Sequence, residues 1–181
     1  TRTLTGDLAA GSGANAAATG ALAAKLLTPT NGARIAMIET GGWDTHTAQS
    51  ARLGAQLKGL DAMIASLKTG LGPLWGQTVV LVATEFGRTA AVNGTNGTDH
   101  GTAAVTMLMG GAVKGGRVLA DWPGLAQANL YEARDLKPTM ELDAVIGGAV
   151  AGHFGVEPGR VMPALFPASA RVKAVEGLVR A

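Results

Sequence analysis

Cysteine is absent from the 181 residues of this chain. Its absence excludes disulfides, thiolate catalysis, iron–sulfur clusters and cysteine-ligated zinc, so any metal ion must bind to oxygen atoms and imidazoles. Aromatic residues are also scarce, because the chain has only three Trp, three Phe and one Tyr. Protein surfaces that stack nucleic-acid bases need clustered aromatic rings. We therefore expect no such surface here.

A strong excess of one charge is also missing. The 15 Lys and Arg residues oppose 13 Asp and Glu residues, which gives a formal net charge of +2. So small a surplus does not predict nucleic acid or an anionic membrane as a partner. No apolar run reaches about 18 residues, so the sequence predicts no membrane span. Hydrophobic residues make up 47% of the chain, which is enough to bury a core and excludes disorder.

The apolar residues recur with helical spacing in three segments. The first predicted helix is Ala-rich and covers about 8–27, and turn residues follow it. The second covers about 47–67. The third begins near Pro138 and ends at Gly155 as a left-handed cap. His153 lies on its apolar stripe near the C-terminal end and is expected to be a core residue or to face the helix dipole. The stripe predicted for the second helix consists of Leu53, Leu57, Leu60, Ile64 and Leu67.

Three short apolar runs, at 34–38, 78–83 and 104–109, predict strands. The first is expected to be buried on both faces, and the second is also expected to be buried. The first two enclose the second helix, and this order predicts a right-handed crossover between parallel strands. No internal repeat or long linker divides the chain. The expected fold class is therefore α/β, with a mostly parallel sheet flanked by helices in a single domain over 1–181.

Polar clusters follow these strands. The clusters at 41–46 and 84–88 lie at the carboxyl ends of the first two strands, where parallel sheets bind ligands, and a third lies at 99–101. Two of the three histidines, His46 and His100, lie within two residues of an aspartate. Carboxylate and imidazole ligands together suit Zn²⁺, Mn²⁺ or Fe²⁺, whereas Mg²⁺ and Ca²⁺ prefer oxygen ligands alone.

Purely structural roles also fit this spacing. Asp44 or Thr47 would serve as a cap of the second helix, with His46 as a surface residue of its first turn. The residues 99–100 would then be turn residues. In the cluster at 84–88, a glutamate and an arginine have the spacing of a helical ion pair worth about 0.3 kcal/mol. Spacing alone leaves the metal site and these structural roles both open.

Three motifs in combination are more specific: GGWDTH at 41–46, TEFGRT at 84–89 and NGTNGTDHG at 93–101. They resemble the bacterial domain-of-unknown-function family 1501, whose members belong to the alkaline phosphatase and sulfatase superfamily. The resemblance implies that superfamily's fold, incomplete at the N-terminus, because it covers the C-terminal half of the family. An earlier segment, often behind a twin-arginine export signal, would supply the nucleophile. The resemblance therefore implies an exported or periplasmic protein, completed by its own N-terminal segment or by a second copy.

The resemblance also implies roles for individual residues. Asp44, His46 and His100 match the ligands of one metal ion, and Asp99 either is a further ligand or orients His100.

The resemblance extends to the cluster at 84–88. Glu85 matches a ligand of a second metal ion, but Phe86 occupies the position of that ion's histidine, which puts the second ion in doubt. Arg88 matches a group that binds a tetrahedral oxyanion.

The function implied is a metal-dependent hydrolase that acts on small-molecule phosphate or sulfate esters and uses a divalent ion such as zinc or manganese. The alternative is a non-catalytic exported binding or surface-associated protein with a degenerate metal site. The Asp and His pairs favour the hydrolase, whereas Phe86 favours the alternative.

Overall fold

A computed structural model of the chain describes residues 2–5 and 13–180, with side chains from residue 15 onward. The strands among these residues are β1 (Arg2–Thr5), β2 (Ala36–Glu39), β3 (Val80–Val82), β4 (Gly87–Arg88), β5 (His100–Gly101) and β6 (Met107–Met109). The α-helices are α1 (Gly13–Leu27), α2 (Gln49–Leu71), α3 (Leu142–Phe154) and α4 (Pro158–Leu165). The first predicted helix ends with α1, but its predicted residues 8–12 lie outside the described residues.

The strands form three small sheets of two strands each. β1 pairs with β2 in parallel, whereas β3 pairs with β6 and β4 with β5 antiparallel. The described residues contain no large parallel sheet. The expected α/β fold with a mostly parallel sheet, as in alkaline phosphatases and sulfatases, is therefore wrong for the residues that the structure describes.

The predicted sheet is wrong because the apolar runs pair with different strands from those expected. The second and third runs pair with each other, with Val80 opposite Met109 and Val82 opposite Met107. Runs of three paired residues carry no information about strand direction, which is decided by the backbone between them. The first run was also expected to be buried on both faces, but Met37 in β2 is 58% exposed.

The described residues divide into two compact units. The first comprises those of Thr1–Trp75 and Val92–Asp99, and the second those of Gly76–Ala91 and His100–Ala181. That residues 1–181 form one domain stays a prediction. No helix in the described part of the chain is long and apolar enough to cross a membrane.

In the first unit, α1 packs closely against α2. A Cβ on Gly20 would lie 2.1 Å from the carbonyl oxygen of Met63, so only glycine permits this approach. The predicted stripe of α2 is rotated, because Leu57 is 46% exposed whereas Gln56 is only 4% exposed. The residues of α2 that are buried are Gln56, Leu60, Met63, Leu67 and Leu71.

In the second unit, α3 supplies much of the core. Val145 and Ala149 pack with Leu178 and Val179. The helix ends at Gly155 in the left-handed conformation, with φ of 62°, which confirms the predicted cap. His153 is half-buried and contacts Phe154 edge to face. The helix also approaches the backbone of Val175 closely, because a Cβ on Gly148 would lie 1.9 Å from the Val175 carbonyl oxygen.

Candidate metal centre

The loop between β2 and α2 carries Asp44 and His46, and α2 fixes its course. The Gln56 side chain donates a hydrogen bond from Nε2 to the carbonyl oxygen of Gly41 at 2.9 Å. Gly42 has φ of 83°, and a Cβ there would lie 1.9 Å from Gln56 Nε2. The positive φ favours glycine at this position, and the Gln56 side chain would have to move to admit a Cβ. The hydrogen bond of the amide explains why Gln56 is buried instead of Leu57.

A second loop, 92–99, lies directly against the first. A Cβ on Gly97 would lie 2.1 Å from the carbonyl oxygen of His46, so the two backbones meet where Gly97 has no side chain. The amide of Thr98 also donates to the carbonyl oxygen of Thr45 at 3.4 Å. This contact brings Asp99, at the end of the second loop, to the imidazole of His46.

The imidazole of His46 lies between two carboxylates. Its Nε2 is 3.0 Å from Oδ1 of Asp44, and its Nδ1 is 3.1 Å from Oδ1 of Asp99. The three side chains are partly open to solvent, at 41% exposed for His46, 52% for Asp44 and 57% for Asp99. Ion pairs this exposed contribute about 0–1 kcal/mol to folding. The cluster is therefore a weak source of stability.

The two ring nitrogens of His46 can have different roles, one as a hydrogen-bond donor and the other as a metal ligand. A neutral imidazole has one N–H, so it donates to one carboxylate and presents a lone pair to the other. Donation from Nδ1 to Asp99 leaves a lone pair on Nε2, which lies 3.0 Å from Oδ1 of Asp44, so both atoms can serve as ligands. A carboxylate that orients a ligating histidine in this way is a frequent partner in metal sites.

His100 follows Asp99 directly in the chain. One ligand atom from each of Asp44, His46 and His100 lies within 4.8 Å of the others, and these form a group able to hold a metal ion. A carboxylate and two imidazoles are a ligand set that suits zinc or manganese, and three protein ligands are typical of sites that keep a position open. The predicted meeting of these three residues is therefore present in the structure.

The alternative role for Asp44 or Thr47 as a helix cap is wrong. The N-cap of α2 is Ala48, in a left-handed conformation with φ of 47°, and no side chain caps the helix. Carbonyl oxygens of the second loop do so instead. The amide of Ala48 donates to Thr95 at 3.1 Å and that of Gln49 to Asn96 at 2.9 Å.

The segment 84–88 contains an aromatic ring at its centre. The Phe86 ring stacks on the ring of His100, with centroids 4.1 Å apart and planes at 23°. The guanidinium carbon of Arg88 lies 5.2 Å from the centroid of Phe86. Glu85 is exposed, and the segment is not helical, so the helical pair of Glu85 with Arg88 is wrong. Their roles as metal ligand and oxyanion group stay predictions.

Glycines bring β4 and β5 unusually close. Gly87 lies opposite Gly101, and Arg88 lies opposite His100. A Cβ on Gly87 would lie 2.1 Å from the carbonyl oxygen of Ala103, and one on Gly101 2.6 Å from that of Arg88. This approach fixes the strands that carry Arg88 and His100.

Asp135, which the sequence did not mark as a candidate, is only 4% exposed. Arg134 Nε donates to its Oδ1 at 2.7 Å, and Thr102 Oγ1 donates to its Oδ2 at 2.9 Å. The hydrogen bond from Arg134 holds the pKa of Asp135 below its usual value, against the opposing effect of burial. The backbone of Asp135 also forms a bridge to Thr89. Arg134 is its neighbour in the chain, but no periodicity or motif marks Asp135, because its contact with Thr102 forms only on folding.

Asn93 lies within the third motif, but no individual role was predicted for it from the sequence. Its side chain bonds both the carboxylate of Asp99 and the carbonyl oxygen of His46. The signal was available in the sequence, because an Asn before Gly is typical of a turn closed by its own side chain.

Comparison with curated proteins finds no match, and comparison with solved structures finds none either. A protein-family model does match, over residues 1–166, and its description is a protein of unknown function (DUF1501). The match includes all three motifs that carry Asp44, His46, Glu85, Asp99 and His100. The chain therefore belongs to the DUF1501 family.

Proposed function

We propose that this chain is a metal-dependent hydrolase-like domain that acts on phosphate or sulfate esters. The observation that carries the proposal is the group formed by Asp44, His46 and His100, with Asp99 at the second nitrogen of His46. Kinship with alkaline phosphatases and sulfatases is proposed on the motifs alone, as is export to the periplasm.

In this proposal Asp44, His46 and His100 hold one divalent ion, either zinc or manganese. When bound, such an ion supplies Lewis acidity that neutralises charge developing on an ester oxygen. Asp99 accepts a hydrogen bond from the N–H at His46 Nδ1 and so keeps Nε2 available as a ligand. Arg88 is the proposed partner of the anionic ester, since a guanidinium offers paired donors to phosphate or sulfate. No nucleophile is assigned among the residues of this chain.

The alternative proposal is a binding protein that holds a metal ion without catalysis. Phe86 favours it, because the motif resemblance gives this position to a histidine ligand of a second ion, and a phenyl ring cannot ligate a metal. The ring is stacked on His100. The two proposals share the metal centre and differ in turnover.

Metal binding is tested first. Titration calorimetry with Zn²⁺ and Mn²⁺ should show about one ion per chain, and His46→Ala should abolish binding because it removes the group between both carboxylates. His153→Ala, which removes a half-buried imidazole on α3, is the matched control and should bind like the wild-type chain. An unchanged number of bound ions per chain in His46→Ala would contradict the assignment of His46 as a metal ligand.

Turnover is tested next. The metal-loaded protein is assayed with an aryl phosphate and an aryl sulfate, with the same protein after chelation as the control. Hydrolysis that disappears with the metal supports the hydrolase, whereas metal binding without turnover supports the binding protein.

A further inference from the structure

The side chain of Asn93 uses its amide nitrogen at the metal centre. Nδ2 donates to Oδ1 of Asp99 at 3.0 Å and to the carbonyl oxygen of His46 at 3.0 Å. The same Asp99 oxygen faces Nδ1 of His46 at 3.1 Å. One amide group therefore contacts both the carboxylate that faces the imidazole and the backbone of the residue that carries it.

The amide oxygen of Asn93 is equally occupied. It accepts hydrogen bonds from the backbone N–H groups of Thr95 and Gly97, each at 3.0 Å, and from the hydroxyl of Thr95 at 3.0 Å. These bonds close the loop in the manner of an Asx turn. The side chain is thus held at both ends, with its acceptor in the loop and its donors at the metal centre.

We propose that Asn93 is a positioning residue, which holds the Asp99 carboxylate against His46 Nδ1 and thereby fixes the orientation of the imidazole for metal binding. The inference rests on the proposed function above. It needs the amide, because only an amide supplies the acceptor for the loop and the donors for Asp99 in one side chain of this length. Its contribution lies in the geometry of the ligand, and Asn93 itself makes no bond to the ion.

Substitution by aspartate is the sharpest test, because it keeps the shape and replaces the donating nitrogen with an oxygen. In Asn93→Asp that oxygen would face the carboxylate of Asp99 and the carbonyl of His46, which repel it. The added negative charge alone would attract a cation more strongly. Charge and positioning therefore predict opposite changes in metal affinity.

Asn96→Asp is the matched control, since it adds the same charge three residues away in the same loop. Asn96 has φ of 58°, a conformation that aspartate tolerates as asparagine does. Loss of an outer partner of a metal ligand costs about 10–100-fold in affinity. We expect Zn²⁺ affinity to fall by about that factor in Asn93→Asp and to stay equal or rise in Asn96→Asp.

A second variant distinguishes the role of Asn93 in closing the loop from its role at the metal centre. The hydroxyl of Asn93→Ser still accepts bonds from the loop amides but is too short to reach Asp99. Circular dichroism should show the wild-type fold, and Zn²⁺ affinity should fall as in Asn93→Asp. Two folded variants that bind Zn²⁺ as tightly as the wild-type chain would overturn the proposal.

The ring of His46 gives a readout that needs no metal. Nuclear magnetic resonance of the imidazole nitrogens in the metal-free protein should show altered signals in both Asn93 variants and unaltered signals in Asn96→Asp. If the wild-type chain binds no metal, the proposed function fails, and the ring signals still decide whether Asn93 orients His46. Unaltered ring signals in both Asn93 variants contradict the positioning role.

Discussion

The two carboxylate clusters of this molecule are built in opposite ways. Asp44 and Asp99 flank one imidazole with more than half of each side chain exposed, at 52% and 57%. Asp135 is 5% exposed in its side chain and receives donors from Arg134 and Thr102. Water competes for the exposed carboxylates and hardly reaches the buried one. The exposed carboxylates of the first cluster can therefore exchange their hydrogen-bond partners for a ligand, whereas the buried carboxylate of the second keeps the same partners.

This contrast predicts that substitutions in the two clusters affect different measurements. A substitution near His46 should change ligand binding and leave the free energy of unfolding nearly unchanged. A substitution at Asp135 should do the reverse. The predictions below test that separation.

The largest effect is expected for Asp44→Asn. The amide is neutral and a weaker ligand than the carboxylate, so Zn²⁺ affinity should fall by about 100-fold or more, since even outer partners cost about 10–100-fold. Calorimetric titration measures this change. Asp61→Asn, at an exposed position of α2, is the control and should bind normally. Unfolding free energies of both variants should stay within about 0.5 kcal/mol of the wild-type value. A large stability loss in Asp44→Asn would contradict the contrast.

The next effect is on stability, in Asp135→Asn. Hydrogen bonds to a charged group are worth about 1.5–3 kcal/mol, and the amide cannot accept from Arg134 and Thr102 in the same way. We expect a loss of about that size in denaturant unfolding, with a smaller effect on Zn²⁺ affinity than in Asp44→Asn. Asp121→Asn, an exposed residue of the same unit, is the control. A variant as stable as the wild-type chain would refute the structural role of Asp135.

The pH dependence has a defined sign. The pKa of Asp135 in the folded chain lies below its ordinary value of 3.8. Its stabilising contribution is therefore complete above about pH 4 and is lost as the pH falls through the lowered pKa. The difference in melting temperature between wild type and Asp135→Asn should be constant near neutral pH and shrink below about pH 4. A difference that grows in acid would contradict the direction of the shift.

The smallest effect is expected for Arg88→Ala, on the strand that pairs with β5. Half-exposed guanidinium groups bind anions through charge-assisted hydrogen bonds that water weakens. We expect the affinity of the metal-loaded protein for phosphate or sulfate to fall several-fold, about 1 kcal/mol, with metal content unchanged. Lys114→Ala, an exposed cation of the same unit, is the control. Equal anion affinity in wild type and Arg88→Ala would remove Arg88 from the proposed site.

Helices could be predicted better than sheets, because their information is local. The helical spacing identified α2 and α3, and Gly155 identified the end of α3. The pairing of strands was wrong, since it depends on contacts between distant runs that look alike in the sequence. The buried stripe of α2 was rotated for a similar reason. Small residues of α1 and the amide of Gln56 decided which face is covered.

The candidate site was predicted in part, through residue chemistry. In a chain without cysteine, metal ligands must be carboxylates or imidazoles, and Asp44, His46 and His100 supply both types. The structure brings their ligand atoms together. The supporting residues were harder to find. Asn93 acts through hydrogen bonds to neighbours 6 and 47 positions away, and Asp135 through a partner 33 positions away. No spacing rule covers such separations.

The start of α2 has a consequence for energetics. The N–H groups of Ala48 and Gln49 donate hydrogen bonds to the carbonyl oxygens of Thr95 and Asn96. The loop that ends at Asp99 therefore also caps the N-terminus of the helix. Thermodynamic linkage then couples ion binding at the proposed site to ordering of the first turn of α2. In the proposed site, an ion held by Asp44, His46 and His100 would favour the ordered loop through the contact of Asp99 with His46. It would thereby suppress fraying of the helix and raise the free energy of unfolding by RT ln(1 + [ion]/Kd). Hydrogen exchange at the first turn of α2 would therefore report on occupancy of a centre that contains none of its residues.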